Sequence, residues 1–122
     1  MSDFIAVLDS SELGDGDSRA VHVHGQSILI CRSGDQFHAI SNRCTHQQRE
    51  LEGGRVRGHF ISCPVHGVRF DLRSGKPLGS LTQVAVAVYP LRVVDGRIEV
   101  ADLPQLQARG ATEAALQLIA TD

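Results

Sequence analysis

Two short stretches of the sequence, CTH beginning at Cys44 and CPVH beginning at Cys63, each contain one cysteine and one histidine. At this close spacing, a single loop can present a thiol and an imidazole together without a helix to hold them. Glycines near both stretches permit the turns that such loops need. The fold is therefore expected to bring two loops to one metal centre, with four candidate ligands: Cys44, His46, Cys63 and His66.

Outside these stretches, short apolar or alternating runs recur at close spacing, among them SILIC at 27–31, GVRFDL at 67–72 and RIEV at 97–100. Turn residues lie between the runs, and the pair Asp95-Gly96 is a strong signal for a two-residue hairpin. The pattern predicts an all-β fold, a small antiparallel sandwich or barrel. The alternation after Ala85 stops at Pro90, which predicts an edge position or a bulge there.

The C-terminal residues have a different pattern. Residues 1–102 carry the strand-like runs and are interpreted as one domain, whereas residues 103–122 form a C-terminal extension. Apolar residues near helical spacing in this extension predict a short terminal helix: Ala111, Ala115, Leu116 and Ile119.

Composition excludes several classes of function. The formal net charge of the 122 residues is -2, and the charges are scattered along the chain with no basic run. We therefore expect no nucleic-acid or membrane partner. The N-terminus has no basic region followed by an apolar one, and no later apolar run is long enough for a membrane span, which predicts a cytoplasmic protein, expected to be a monomer.

Two other interpretations of the cysteine–histidine stretches stay open on the residues alone. The cysteines could be separate core residues and the histidines solvated ones. Two thiolates and two imidazoles also complete a tetrahedral structural zinc site. In zinc modules, however, each short stretch usually carries two ligands of the same type. Stretches with one cysteine and one histidine each are what a two-iron centre with cysteine on one iron and histidine on the other requires.

The pattern Cys-x-His, sixteen residues, Cys-x-x-His resembles the signature of the Rieske iron–sulfur family. The stretch CPVHGVRFDLRSGK is similar to the second cluster loop of Rieske-type ferredoxins. The resemblance implies one [2Fe-2S] cluster in a Rieske domain over residues 1–102, with cluster-binding loops at about 43–54 and 62–76. It also implies that Cys44 and Cys63 hold one iron through thiolate, and that His46 and His66 hold the other through ring nitrogen.

By the same resemblance, the chain is a one-electron carrier and not an enzyme. Such ferredoxins pass electrons from a flavin-dependent, NAD(P)H-oxidising reductase to a terminal Rieske non-haem iron oxygenase that hydroxylates an aromatic or other apolar substrate. The alternatives are the small subunit of a nitrite-reductase-like oxidoreductase and a structural zinc module. A third, an excised Rieske domain of an oxygenase, is less favoured because the catalytic domain with its two-histidine, one-carboxylate iron has no room in 122 residues.

Three positions distinguish this chain from the Rieske subunits of cytochrome bc complexes. Those subunits have a disulfide-forming pair of cysteines where this chain has Arg49 and Val65, and a hydroxyl residue where it has Val68. The differences favour the low-potential ferredoxin branch. The third loop, KPLGSLTQ at 76–83, contains a single proline, Pro77, where many relatives of that branch have several.

The third cysteine and the other histidines are expected to have no ligand role. Cys31 ends an apolar run and is predicted to pack in the core. His22 and His24 alternate with valines and are predicted to face solvent, and His38 and His59 have no neighbour of ligand type at one or two residues.

Overall fold

The computed structural model describes residues 4–45, 49–64, 67–79 and 82–101. Over these residues the prediction of an antiparallel all-β fold is confirmed, and the predicted C-terminal helix lies outside them. No helix in this part of the chain is long and apolar enough to cross a membrane. Within the described ranges a 3-10 turn, Ser10–Glu12, accompanies the following strands: β1 Phe4–Asp9, β2 Ser18–Val23, β3 Gln26–Ser33, β4 Gln36–Ser41, β5 Val56–Arg57, β6 Phe60–Ser62, β7 Arg69–Asp71, β8 Pro77–Leu78, β9 Val88–Tyr89, β10 Leu91–Val94 and β11 Arg97–Ala101.

The strands form three antiparallel sheets. The central sheet has the order β2-β3-β4-β9, the outer sheet has the order β1-β11-β10, and the loop sheet has the order β5-β6-β7-β8. The loop sheet belongs to the segment 42–87, which leaves the central sheet after β4 and returns to it at β9. Ala39 pairs with Tyr89 and Ile40 with Val88, so the base of this segment is closed by neighbouring strands.

The central sheet is covered on both faces, and β3 shows how. Ile28 and Ile30 belong to the buried cluster shared with the outer sheet, whereas Leu29 and Cys31 belong to the buried cluster shared with the loop sheet. Successive side chains of a strand point to opposite faces, so a strand covered on both sides must be apolar throughout. This explains the unbroken SILIC run.

Two features of the turns test the sequence predictions. The hairpin at Asp95-Gly96 is confirmed, since it joins β10 to β11 with φ angles of 52° and 75°, both in the left-handed region that a tight hairpin turn needs. Pro90 lies at an edge, as predicted, because β9 and β10 on either side of it are both edge strands. It ends β9 in the central sheet, and β10 begins immediately after it in the outer sheet.

Candidate metal centre

The two predicted ligand cysteines both lie at the start of a loop of the segment 42–87. Cys44 follows the end of β4, and Cys63 directly follows β6. Their exposed fractions are 0% and 3%, and both belong to one buried cluster. His46 and His66 lie outside the described residues, so their assignment as ligands stays a prediction. The structure thus places one predicted ligand from each stretch in the same buried apolar cluster.

Both loops close in the same way. The backbone N–H of Cys44 donates to the carbonyl oxygen of Arg49 at 2.6 Å, and the N–H of Cys63 donates to the carbonyl oxygen of Val68 at 2.7 Å. Each bond spans five residues, and in each loop the predicted histidine ligand lies inside this span in the sequence. The N–H of Gly67 also donates to the carbonyl oxygen of Cys63, at 2.9 Å. Each cysteine is therefore fixed to the end of its own loop.

Asn42 anchors the first loop to the central sheet, a role that the sequence alone did not indicate. It is the buried polar residue of the described core, with an exposed fraction of 2%. Its Oδ1 accepts from the N–H groups of Leu51 at 3.1 Å and Glu52 at 2.8 Å, and its Nδ2 donates to the Ser27 hydroxyl at 3.0 Å. Because Asn42 precedes Cys44 by two residues, the same side chain holds both ends of the loop.

We expect Asn42→Ala to lower the free energy of unfolding by about 2–3 kcal/mol, because three hydrogen bonds of its side chain are lost. The N–H of Glu52 loses its side-chain acceptor, and the buried N–H of Leu51 keeps only a longer bond, 3.3 Å, to the backbone carbonyl oxygen of residue 42. Iron should also be lost faster from the variant during incubation with a chelator. Ser27→Ala removes only the partner of Nδ2, so a smaller loss of about 1 kcal/mol is expected. Equal stability of Asn42→Ala and the parent protein in urea titrations would contradict this role.

Gly54 lets the two loops approach each other. A Cβ atom on Gly54 would lie 2.0 Å from the carbonyl oxygen of Ser62, the residue before Cys63. Gly75 makes a similar approach to the segment after the third loop. A Cβ atom on Gly75 would lie 2.1 Å from the carbonyl oxygen of Val86. Only glycine fits at these two contacts, because the obstacle is backbone in both cases.

The third loop is tied to the first by Thr45. The Thr45 hydroxyl donates to the carbonyl oxygen of Val84 at 2.6 Å, and its oxygen lies 3.3 Å from the hydroxyl oxygen of Thr82. The N–H of Val84 donates to the same Thr82 hydroxyl at 3.1 Å. Polar side chains thus position a loop that has only one proline, Pro77, to stiffen it. The Val84 side chain is 60% exposed.

The third cysteine is confirmed as a core residue. Cys31 has an exposed fraction of 0%, and burial raises the pKa of its thiol to about 12. The thiol is therefore protonated throughout the physiological range and is a poor ligand or nucleophile. Of the histidines expected to have no ligand role, His22 and His24 are exposed, as predicted.

The environment of His38 had no signal in the sequence. Its Nε2 atom is buried without a hydrogen-bond partner among the described residues, and burial lowers its pKa, helped by the nearby charge of His59. Asp71 and Arg73 also lie within electrostatic reach, and these two form a salt bridge of 3.0 Å. No group of three or more metal-binding side chains is found within the described ranges.

The donor set suits a metal cluster that needs two anionic sulfur ligands and limited water. Two thiols from different loops share one buried cluster, and backbone hydrogen bonds and the close approach at Gly54 fix the loops that carry them. Val68 stands where the Rieske subunits of cytochrome bc complexes have a hydroxyl residue. It is 2% exposed and packs in the same cluster.

Comparisons with known proteins agree with this interpretation of the site. Residues 3–90 match the family model of the Rieske [2Fe-2S] domain. The anthranilate 1,2-dioxygenase ferredoxin subunit of Burkholderia cepacia is 38% identical over 85 residues, which cover 69% of this chain and 79% of that protein. Curated relatives of this kind are named ferredoxin components, which agrees with the prediction of a carrier and not an enzyme.

Two solved structures are informative. A chain in the complex of reduced oxygenase and oxidised ferredoxin of carbazole 1,9a-dioxygenase superposes with a TM-score of 0.81 at 31% identity, covering 88% of this chain and 100% of that chain. The NADH-dependent nitrite reductase small subunit from Mycobacterium tuberculosis superposes with a TM-score of 0.77 at 25% identity, covering 84% and 97%. The match to an iron–sulfur domain family removes the structural zinc interpretation.

Proposed function

We propose, since this chain belongs to the Rieske [2Fe-2S] domain family, that it is the ferredoxin component of an aromatic-ring-hydroxylating dioxygenase system. In this proposal it accepts one electron from an NAD(P)H-dependent flavoprotein reductase and delivers it to a terminal Rieske non-haem iron oxygenase. It acts in the cytoplasm as a monomer. The observation that carries the proposal is the match of nearly the whole domain to ferredoxins of such systems, over 79% of the Burkholderia cepacia subunit and 100% of the chain in the carbazole complex.

The proposed ligands are Cys44 and Cys63 on one iron and His46 and His66 on the other. The [2Fe-2S] cluster supplies a centre that takes up and releases a single electron. The protein has to hold the thiolates rigidly and keep water from the sulfurs. Burial of Cys44 and Cys63 among apolar side chains and the backbone bond that closes each loop support both tasks.

The proposal is tested by reconstitution. The purified chain alone should neither oxidise NADH nor hydroxylate an aromatic substrate. Hydroxylated product should appear only when the reductase, this chain and the oxygenase encoded with it are combined with NAD(P)H. A reductase and oxygenase that turn over equally well without this chain would refute the proposed role.

The reduction potential is expected near the low end of the Rieske range, at about -150 mV. Two neutral imidazoles in place of two thiolates raise the potential above that of plant-type ferredoxins, which is about -400 mV. Hydrogen bonds to the sulfurs raise it further in other Rieske proteins, and this chain has Val68 where those proteins have a hydroxyl. Protein-film voltammetry measures the midpoint, and a value above about +100 mV would contradict membership of the low-potential branch.

A second candidate function rests on the nitrite reductase small subunit, which has a similar fold at 25% identity. In that case the chain would be a fixed subunit of a larger oxidoreductase and not a diffusing carrier. Co-purification distinguishes the two, because a fixed subunit would elute with a large sirohaem enzyme, whereas a carrier would elute alone.

A further inference from the structure

The charges of this chain are segregated in a way that the overall value of -2 conceals. Residues 43–76 carry seven Lys and Arg against three Asp and Glu, a net charge of +4, whereas the rest of the chain carries five against eleven, a net charge of -6. The positive segment is the one that contains both cysteine–histidine stretches and most of the loop sheet. The charges that look scattered along the sequence are therefore uneven, with an excess of positive charge on the segment that contains the proposed cluster loops.

Part of this positive charge lies on one face of the loop sheet. Val56 pairs with Ile61 and Ile61 with Phe70, and all three are buried on the inner face. The side chains at the alternate positions of these strands point to the outer face of the sheet. This outer face, here called the arginine face, carries Arg55, Arg57, Phe60, Ser62 and Arg69, which line a groove of about 330 Å³. It also carries Asp71, which pairs with Phe60 and forms a salt bridge with Arg73.

The three arginines of this face are exposed and have no acidic partner among the described residues. In this part of the chain no ion pair or side-chain hydrogen bond involves Arg55, Arg57 or Arg69. The N–H of Ser62 donates to the carbonyl oxygen of Arg55 at 3.0 Å, and Ser62 pairs with Arg69 on its other side, so like charges flank one position. Neighbouring like charges on a sheet are unfavourable on their own. A surface that keeps them uncompensated is suited to an external negative charge.

Phe60 gives the arginine face an apolar centre. It pairs with Arg57 across the hairpin, is partly exposed and lines the same groove as the three arginines. Arginine and aromatic side chains are the residues enriched at protein interfaces, and a free anion would gain little from the ring. The face also lies close to the proposed centre, because Ser62 directly precedes Cys63 and Arg69 directly follows Val68.

We propose that the arginine face is a docking surface for an acidic patch on the electron-transfer partner of this chain, acting beside the cluster loops to steer and orient that partner. This inference rests on the proposed function, because it names a surface that the carrier would use. Charged complementary patches raise the rate of encounter and fix the orientation more than they raise affinity.

The test compares two variants with the same change in net charge. The patch variant replaces Arg55, Arg57 and Arg69 by glutamine. The control variant replaces three arginines outside segment 43–76, which pair with acidic residues at 3.1, 2.7 and 4.0 Å, by glutamine: Arg19, Arg92 and Arg97. Iron content and visible spectrum first establish that both variants carry the cluster. If the patch variant fails to load it, the single substitution Arg57→Gln, in β5 of the loop sheet, replaces it.

Electron transfer from the reductase and to the oxygenase is then measured by stopped flow at an ionic strength of about 0.1 M, where the Debye length of about 10 Å limits the effect to nearby charges. The patch variant should be slower by at least about tenfold in one of the two steps, with a weaker salt dependence, and the control variant should stay within about twofold of the parent. Equal rates for all three proteins, or equal slowing of both variants, would overturn the inference while leaving the carrier role intact.

If the parent protein does not carry electrons from the reductase to the oxygenase, the proposed function fails. The arginine face is then tested separately. Chemically reduced flavodoxin, an acidic one-electron donor, then serves as the probe under the same conditions. Selective slowing of the patch variant supports the acidic-partner surface, and slowing of neither variant, or of both equally, overturns it.

Discussion

Replacing Cys44 or Cys63 by alanine is expected to abolish the red-brown colour of the purified protein and to reduce its iron content from about two atoms per chain to near zero. Each cysteine is proposed to supply one of only two thiolates, and its loss leaves an iron without a full set of ligands. Both thiols are buried, at loop starts that backbone hydrogen bonds fix. Visible absorption and iron and sulfide analysis measure the effect.

Cys31→Ala is the matched control for this experiment. Cys31 is equally buried and belongs to the same cluster of core residues, but its thiol has a pKa raised to about 12. The substitution should cost some stability through lost packing and should leave the absorption spectrum unchanged. A colourless Cys31→Ala variant beside a coloured Cys44→Ala variant would show that the ligand assignment is wrong.

Gly54→Ala is expected to have a large effect for the addition of a single methyl group. The new Cβ would lie 2.0 Å from the carbonyl oxygen of Ser62, so the backbone before Cys63 has to move. Overpacking of this kind costs about 3 kcal/mol or more, which should lower the apparent midpoint of thermal unfolding by more than about 10 °C. The shift also separates the two cysteine loops, so iron retention should fall with stability.

Gly14→Ala makes the same chemical change at a position that can yield. Neither Gly14 nor Gly54 has a positive φ, and a Cβ added at Gly14 would meet only the flexible Asp17 carboxylate, at 3.0 Å. This variant should unfold within a few degrees of the parent and keep its iron. If calorimetry finds the two variants alike, the close approach of the loops at Gly54 is not a constraint on the site.

What the sequence predicts correctly here is local. Alternation of apolar residues indicates strands, Asp95-Gly96 specifies its own hairpin, and the spacing of cysteine and histidine is a property of two short loops. These signals are contained within a few neighbouring residues. That is why the all-β class and the positions of Cys44 and Cys63 at loop starts could be predicted before the fold was known.

The remaining features depend on residues that are distant in the sequence. Asn42 reads as an ordinary loop residue until the fold places it between Ser27 and Leu51. Gly54 looks like any turn glycine until Ser62 lies against it. Pro90 marks a break in the alternation, but which sheet the next strand joins is decided by pairing with β11. The arginine face likewise appears only when the register of three short strands is known.

The double covering of the central sheet has a consequence for the protein without its metal. One face of that sheet, with Leu29, Cys31 and Ile40, is covered by the same segment that is proposed to hold the cluster. If an empty site lets that segment loosen, a contiguous apolar surface is uncovered on an otherwise stable base, and such surfaces promote self-association. Failure of cluster assembly in the cell would then be seen as aggregated chains and not as a pool of soluble, colourless carrier awaiting iron.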